Sequence, residues 1–173
     1  MEYSYELLLV GLGNTLHGDD GFGPRIIAEL QKRYTFPQDV RLVDGGILGL
    51  SILPLIEEAR EIVVIDTVVL QKEPGTLYQF PISALKIPDE APLYLHEMGI
   101  AEVLHIVKSS GREVGGLVIG IEPEEVSPWT LTLSDRIENK VEETVELVIR
   151  ELRQRGYQLA EVCAQNGGSS CMK

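Results

Sequence analysis

Short apolar runs alternate with amphipathic segments along most of this 173-residue chain. Strands buried on both faces are predicted at 6–10, 61–65 and 115–121. Each contains an apolar run, such as Leu7–Val10 and Ile62–Ile65, and a strand covered on both sides shows no polar alternation. Shorter strands are predicted at 39–43 and 76–80, the latter at or near a sheet edge. The succession indicates a three-layer α/β fold, a mostly parallel sheet with helices on both faces.

Helices are predicted between the strands, where apolar residues recur every three or four positions. They cover the segment from Pro24 to Tyr34, 47–59, 95–107 and 132–155, with a loop at 82–95 before the third. Pro54 predicts a kink or early break in the second helix. Thr132 and Asp135 form a weak capping box for the last helix, and Gly156 is expected to stop it.

We expect a single domain at 1–160 and a flexible tail at 161–173, because the tail has no apolar periodicity. Its two cysteines, Cys163 and Cys171, fit no metal-finger spacing and are interpreted as incidental thiols in a reducing compartment. The start of the chain shows neither a basic nor an apolar signal region, so we expect a cytoplasmic protein.

The acidic net charge of the chain counts against some classes of binding partner. Fifteen Lys and Arg stand against 27 Asp and Glu, a formal net charge of −12. No basic stripe is present to neutralise phosphates, so we expect no nucleic-acid partner. No apolar run approaches the roughly 20 residues of a membrane span, so we expect no membrane partner either.

The glycine-rich segment between Gly11 and Gly23 follows the first strand but is not a nucleotide-binding loop. Leu16 stands where a dinucleotide fingerprint needs its third glycine, and no Gly-Lys-Ser/Thr follows. The adjacent carboxylates Asp19 and Asp20 would repel a phosphate, which counts against a nucleotide- or flavin-binding module. Taken alone, each of these two residues is best explained as a helix cap.

Polar side chains stand where the predicted strands end, which is where parallel α/β sheets carry their sites. Asp20 follows the first strand, Asp66 ends the 61–65 strand, and His96 begins a predicted helix. Two carboxylates and one imidazole could form an open coordination sphere for a divalent transition metal. His17 is a secondary candidate near Asp20. His105 is expected to be structural, because nine helical residues place it half a turn from His96.

The chain contains six short motifs whose order along the sequence resembles that of the hydrogenase maturation proteases. These enzymes trim the C-terminus of the large subunit of nickel–iron hydrogenases. The resemblance runs from about Leu8 to about Ile149. It is carried by Gly11-x-Gly-Asn14, Gly18-Asp-Asp-Gly-x-Gly23, Asp44-Gly-Gly46, Val63-Val-Ile-Asp66, His96-Glu-Met-Gly99 and Gly120-Ile-Glu-Pro123.

The resemblance implies a twisted five-stranded sheet and a nickel-responsive site made by Asp20, Asp66 and His96. Some relatives carry Glu in place of Asp20, and Asp19 or a shift of the loop could compensate for the shorter side chain. Asp44 matches a position viewed as a recognition or proton-handling group, although a tight turn explains its motif nearly as well.

The expected function is cleavage of a C-terminal extension from the nickel-loaded large-subunit precursor, by a monomeric endopeptidase. Nickel would arrive with the substrate, and zinc or cadmium could replace it in vitro. Either nickel polarises the scissile carbonyl or a water, or it is a docking mark while Asp20 or Asp44 acts as general base. The alternative is a non-catalytic nickel chaperone for the same precursor.

Overall fold

We analysed a computed structural model of the chain, which describes residues 3–47, 49–85 and 99–162. The strands within these ranges are β1 (Tyr5–Leu12), β2 (Tyr34–Thr35), β3 (Val40–Gly46), β4 (Ala59–Thr67), β5 (Leu77–Pro81), β6 (Gly115–Ile121) and β7 (Ala160–Glu161). The helices are α1 (Phe22–Arg33), α2 (Leu53–Glu58), α3 (Ile100–Ser109), α4 (Asp135–Glu138) and α5 (Val141–Gln154). Short 3₁₀ turns occupy Gly18–Gly21, Gly49–Ile52 and Ile82–Ala84.

Five of the strands form one sheet in the order β3-β1-β4-β6-β5. All neighbours in it are parallel except β5, which runs antiparallel along β6 at the edge. The mostly parallel five-stranded sheet and its short edge strand are therefore confirmed. The chain leaves β1 for β3 on one side and then crosses to β4 on the other, which creates a switch point at the carboxyl ends of β1 and β4.

The two faces of the sheet carry separate cores, as expected for three layers. Leu7 and Leu9 of β1 pack with residues of α1 and α5, whereas Leu8 and Val10 pack with residues of α2 and α3. All four side chains are fully buried, which explains the uninterrupted apolar run. In the described ranges no helix has the length and apolarity to cross a membrane.

Gly23 lets α1 begin directly against the sheet. A Cβ at this position would lie 2.3 Å from the Leu12 carbonyl oxygen and 2.4 Å from that of Ile65. Any other residue would push the helix away from the ends of β1 and β4, so this glycine fixes the helix beside the switch point.

The last helix differs from its prediction. It is divided into α4 and α5, and its N-cap is Ser134, whose Oγ accepts the Ile137 N–H at 3.4 Å. The capping box at Thr132 is therefore wrong, because Ser134 is held in place by hydrogen bonds to the buried Asp19 carboxylate. The stop at Gly156 is confirmed by its φ of 92° and by its N–H, which donates to the Arg153 carbonyl.

The bounds of two other helices differ from their predictions. The segment 47–59 contains a 3₁₀ turn followed by α2, with Pro54 in its first turn, so the expected break is present. Ala59 already begins β4. The first helix ends at Arg33, and Tyr34 is extended because it begins β2.

Two residues of the predicted tail, Glu161 and Val162, form backbone hydrogen bonds or strand pairs with the end of α1 and β2. Tyr34 pairs with Glu161 in the antiparallel β2–β7 ladder, and the Val162 N–H donates to the Arg33 carbonyl at 2.8 Å. The remainder of the tail lies outside the described residues. So do most of the predicted 82–95 loop and the start of the 95–107 helix, including His96; the described part of that helix is α3.

Candidate active site

Asp20 lies in the loop that follows β1, at the switch point. Gly13, with a φ of 126°, lets this loop turn tightly, because a Cβ there would lie 1.7 Å from the Asp20 carbonyl oxygen. The Asp20 carboxylate accepts the Asn14 N–H at 2.8 Å and the Thr67 hydroxyl at 3.1 Å. Asp20 is therefore held in one orientation by groups from two different strand ends.

Asp66 is the second carboxylate of the site and stands next to the end of β4. It is partly buried, and its Oδ1 accepts the Thr67 N–H at 2.7 Å. Burial raises the pKa of Asp66 to about 7; the Thr67 hydrogen bond opposes this shift, and the nearby charge of Asp20 adds to it. At neutral pH this carboxyl group is poised between its two protonation states.

Asp20 and Asp66 line one cleft of about 400 Å³, together with Gly46, Ile47 and Gly99. Thr67 hydrogen-bonds to both carboxylates. Oxygen ligands in an acidic, partly dehydrated cleft suit a divalent cation, which would relieve the repulsion between the two carboxylates. The predicted convergence of these two residues is thus observed.

His96, the predicted third ligand, lies outside the described residues. Gly99, three residues further along the sequence, lines the cleft beside the two carboxylates. Across 3–47, 49–85 and 99–162, no three His, Cys, Asp or Glu side chains gather into a metal site.

Asp44 lines a different cleft, of about 740 Å³, with Arg25, Leu131 and Asp135 among its walls. It is exposed, and its Oδ1 accepts the Gly46 N–H at 3.0 Å. Since Gly46 lines the Asp20/Asp66 cleft, the Asp44–Gly46 segment borders both clefts. The structure thus places Asp44 next to the carboxylate pair but not in the same cleft.

Asp19 is fully buried and serves as a structural anchor. Its two carboxylate oxygens accept the N–H groups of Glu124, Glu125 and Ser134 and the Ser134 hydroxyl, at 2.7–3.0 Å. It is not among the residues that line the Asp20/Asp66 cleft. Asp19 holds the segment after β6 in place, and these contacts give no support to its role as a substitute ligand.

The other histidines do not join the carboxylate pair. His17 is partly buried and forms an isolated parallel bridge with Thr130, away from the residues that line the cleft. His105 is exposed on α3 and lines a separate pocket with Lys108 and Arg112. Its separation from the Asp20/Asp66 cleft agrees with the structural role predicted for it.

Sequence reasoning missed Thr67 and did not interpret Glu122. Glu122 is 4% exposed and accepts the N–H groups of Leu70 and Gln71 and the Tyr78 hydroxyl. The Tyr78 hydrogen bond, followed by the backbone ones, lowers the pKa of Glu122. Glu122 thereby orders the loop directly after Asp66 and Thr67. The sequence signal that could have identified Glu122 is its position as a charged residue directly after the apolar strand β6.

Fold and site together define an α/β protein with paired carboxylates in a cleft at the switch point of its sheet. The family description "Hydrogenase maturation protease" matches residues 24–151 of the chain. The chain therefore belongs to the hydrogenase maturation protease family, and it is an endopeptidase of that family.

Individual relatives agree with this assignment. The chain is 31% identical to the hydrogenase 2 maturation protease of Escherichia coli over 157 residues, which cover 88% of this chain and 93% of the relative. It is 34% identical over 152 residues to the hydrogenase expression/formation protein HoxM of Cupriavidus necator, covering 87% and 75%. The solved hydrogenase maturating endopeptidase HybD of E. coli superposes with a TM-score of 0.78 at 27% identity, covering 90% and 97%.

Proposed function

We propose that this endopeptidase removes a C-terminal extension from the nickel-loaded precursor of a nickel–iron hydrogenase large subunit. The convergence of Asp20 and Asp66 in one cleft supports the proposal most directly, because two oxygen ligands there can meet a cation that arrives with the substrate. The names of the relatives support the hydrogenase precursor as partner. A cytoplasmic location and a monomeric state remain parts of the same proposal.

Asp20, Asp66 and His96 are the proposed nickel ligands. Asp20 is already oriented by Asn14 and Thr67, so little reorganisation is needed when the cation enters. When bound, nickel would supply a Lewis acid or a recognition mark for the scissile region. Three ligands leave positions open for the substrate, whereas a closed four-ligand cage would retain its own metal.

Asp44 is the proposed proton-handling residue if nickel is only a mark. Its carboxylate is exposed and lines a cleft other than the one that holds the Asp20/Asp66 pair, and the Asp44–Gly46 segment borders both clefts. A base role for Asp44 therefore requires the substrate to reach both clefts. Cleavage that survives in Asp44→Asn would leave the base role to Asp20.

The decisive experiment mixes the purified full chain with purified nickel-containing precursor and follows the intact mass of the large subunit. We expect the mass to fall by that of one C-terminal peptide, and no change with nickel-free precursor. An unchanged mass with folded enzyme and nickel-loaded precursor would contradict the proposal. Binding without a mass change would instead identify a nickel chaperone.

His96→Ala, compared with His105→Ala, tests the third ligand. We expect His96→Ala to lose cleavage by about 100-fold or more, as when a group acting in the transition state is removed. His105→Ala should cleave at the wild-type rate, since His105 lines a separate pocket. Equal rates for the two variants would show that His96 is no ligand.

A further inference from the structure

Exposed apolar side chains concentrate at the carboxyl end of the sheet. Among the described residues, seven of the nine exposed large apolar side chains lie in loops that follow β1, β3, β4 or β6. Five of them, which we call the apolar rim, are Leu16, Ile47, Val126, Trp129 and Leu131, with exposures of 44%, 71%, 50%, 84% and 72%. Chance exposure would scatter such residues singly over the surface.

The loops that carry the rim are joined to each other. His17 and Thr130 form a parallel bridge, which sets Leu16 beside Trp129. The Gly18 N–H donates to the Thr130 carbonyl at 2.7 Å, on the other side of that bridge. The Asp19 carboxylate then holds the segment after β6 from below. The rim is therefore held in place before a partner binds, so little conformational entropy is lost when the complex forms.

The rim is continuous with both clefts of the site. Ile47 lines the Asp20/Asp66 cleft, and Leu131 lines the cleft that contains Asp44. A protein whose chain terminus enters either cleft must lie against these side chains. The rim therefore lies beside the two clefts, where a substrate chain would enter, and is not remote from the site.

Trp129 is the most exposed member and is held in an unusual backbone conformation, with a φ of 65°. A bulky residue seldom adopts a left-handed conformation, and an exposed indole contributes little to folding. Among the described residues, neither the left-handed backbone nor the exposed indole of Trp129 adds to the buried core. Tryptophan is, however, among the residues that most often dominate the energy of protein interfaces.

We propose that the apolar rim is the docking surface for the folded body of the hydrogenase precursor, outside the segment that is cleaved. This inference rests on the proposed function. The matching face of the precursor is an apolar patch bordered by basic groups, because the clefts beside the rim are lined by Asp20, Asp66, Asp44 and Asp135 and the chain has a net charge of −12.

The first test separates docking from chemistry. The double variant Val126→Ser, Trp129→Asn, at two rim residues that line neither cleft, should raise KM for the nickel-loaded precursor about tenfold or more, as for hot-spot residues, and change kcat less than about twofold. Asn is chosen at 129 because it tolerates a positive φ. Val162→Ser, which changes a 49% exposed apolar residue outside the rim, should leave both parameters unchanged. An unchanged KM in the folded double variant would overturn the proposal.

The second test needs no substitution and no turnover. Trp129 is the single tryptophan of the chain, so enzyme labelled with 5-fluorotryptophan gives one ¹⁹F resonance. We expect unlabelled precursor to shift or broaden that resonance, and serum albumin to leave it unchanged. An unaltered resonance at saturating precursor would overturn docking at the rim, even where cleavage occurs. If the wild type does not cleave, the proposed function fails, and this resonance alone decides whether the rim binds the precursor.

Discussion

Asp19 and Asp66 are two carboxylates withdrawn from water at the same end of the sheet, but they have different surroundings. Asp19 is fully buried and accepts hydrogen bonds from three backbone N–H groups and one hydroxyl. The hydrogen bond described for Asp66 comes from the N–H of its own neighbour, Thr67. Burial raises the pKa of Asp66 to about 7, because this carboxylate has few donors to replace the water it loses.

The comparison shows that hydrogen-bond donors, rather than burial, distinguish the anchor from the site. A buried carboxylate with all its lone pairs occupied holds the fold together and has nothing left for a ligand. A buried carboxylate with free lone pairs destabilises the fold when no ligand is bound. The same lone pairs can bind a cation when one arrives. Substitutions at the two positions should consequently affect stability with opposite signs.

Asp19→Ala should produce the largest loss of stability. It leaves the N–H groups of Glu124, Glu125 and Ser134 without their acceptor, which should lower the free energy of unfolding by about 3 kcal/mol or more. Urea denaturation measures this change. Asp20→Ala is the matched control and should cost only about 1 kcal/mol, because its donors face an open cleft. Equal losses in the two variants would contradict the distinction between anchor and site.

Asp66→Asn should instead stabilise the metal-free protein at high pH. The folded pKa of about 7 lies above the ordinary value of 3.8, so the wild type loses stability as pH rises from about 4 through 7. In the presence of a chelator, the variant should exceed the wild type by about 2–4 kcal/mol at pH 8 and by almost nothing at pH 4. Urea titrations at both pH values measure the difference. A difference that does not change with pH would show that Asp66 is not desolvated as described.

Ser134→Ala should have the smallest of the three effects. It removes the N-cap of α4 and one of the four donors to Asp19, for an expected loss of about 1–2 kcal/mol. Thr132→Ala, at the cap position expected from the sequence, should change stability by less than about 0.5 kcal/mol. A larger effect at Thr132 than at Ser134 would reverse the assignment of the cap.

The strands and the two carboxylates of the cleft could be predicted from the sequence. Short apolar runs such as 62–65 between amphipathic segments are typical of strands buried on both faces, and the carboxyl ends of parallel strands meet at one edge. That rule made Asp20 and Asp66 candidates, and the resemblance to the hydrogenase maturation proteases supported them. Thr67 could not be predicted, because a residue whose hydroxyl donates to one carboxylate and whose N–H donates to the other carries no sequence pattern of its own.

Adjacent residues with the same chemistry mark the limit of that reasoning. Asp19 and Asp20 are indistinguishable as letters, and either could cap a helix or bind a metal. Their roles separate only when the segment after β6 folds back and brings three N–H groups to Asp19. The same contact moved the helix cap from Thr132 to Ser134.

By itself, the order of apolar and polar residues determined the layers, the parallel sheet and the edge at which a site would lie. Burial of continuous apolar strands leaves few other arrangements. Tertiary structure alone decided which carboxylate is an anchor, which two share a cleft, and that Asp44 faces the neighbouring one. Those choices depend on hydrogen bonds between residues about a hundred positions apart, such as Asp19 and Ser134, and local sequence does not encode them.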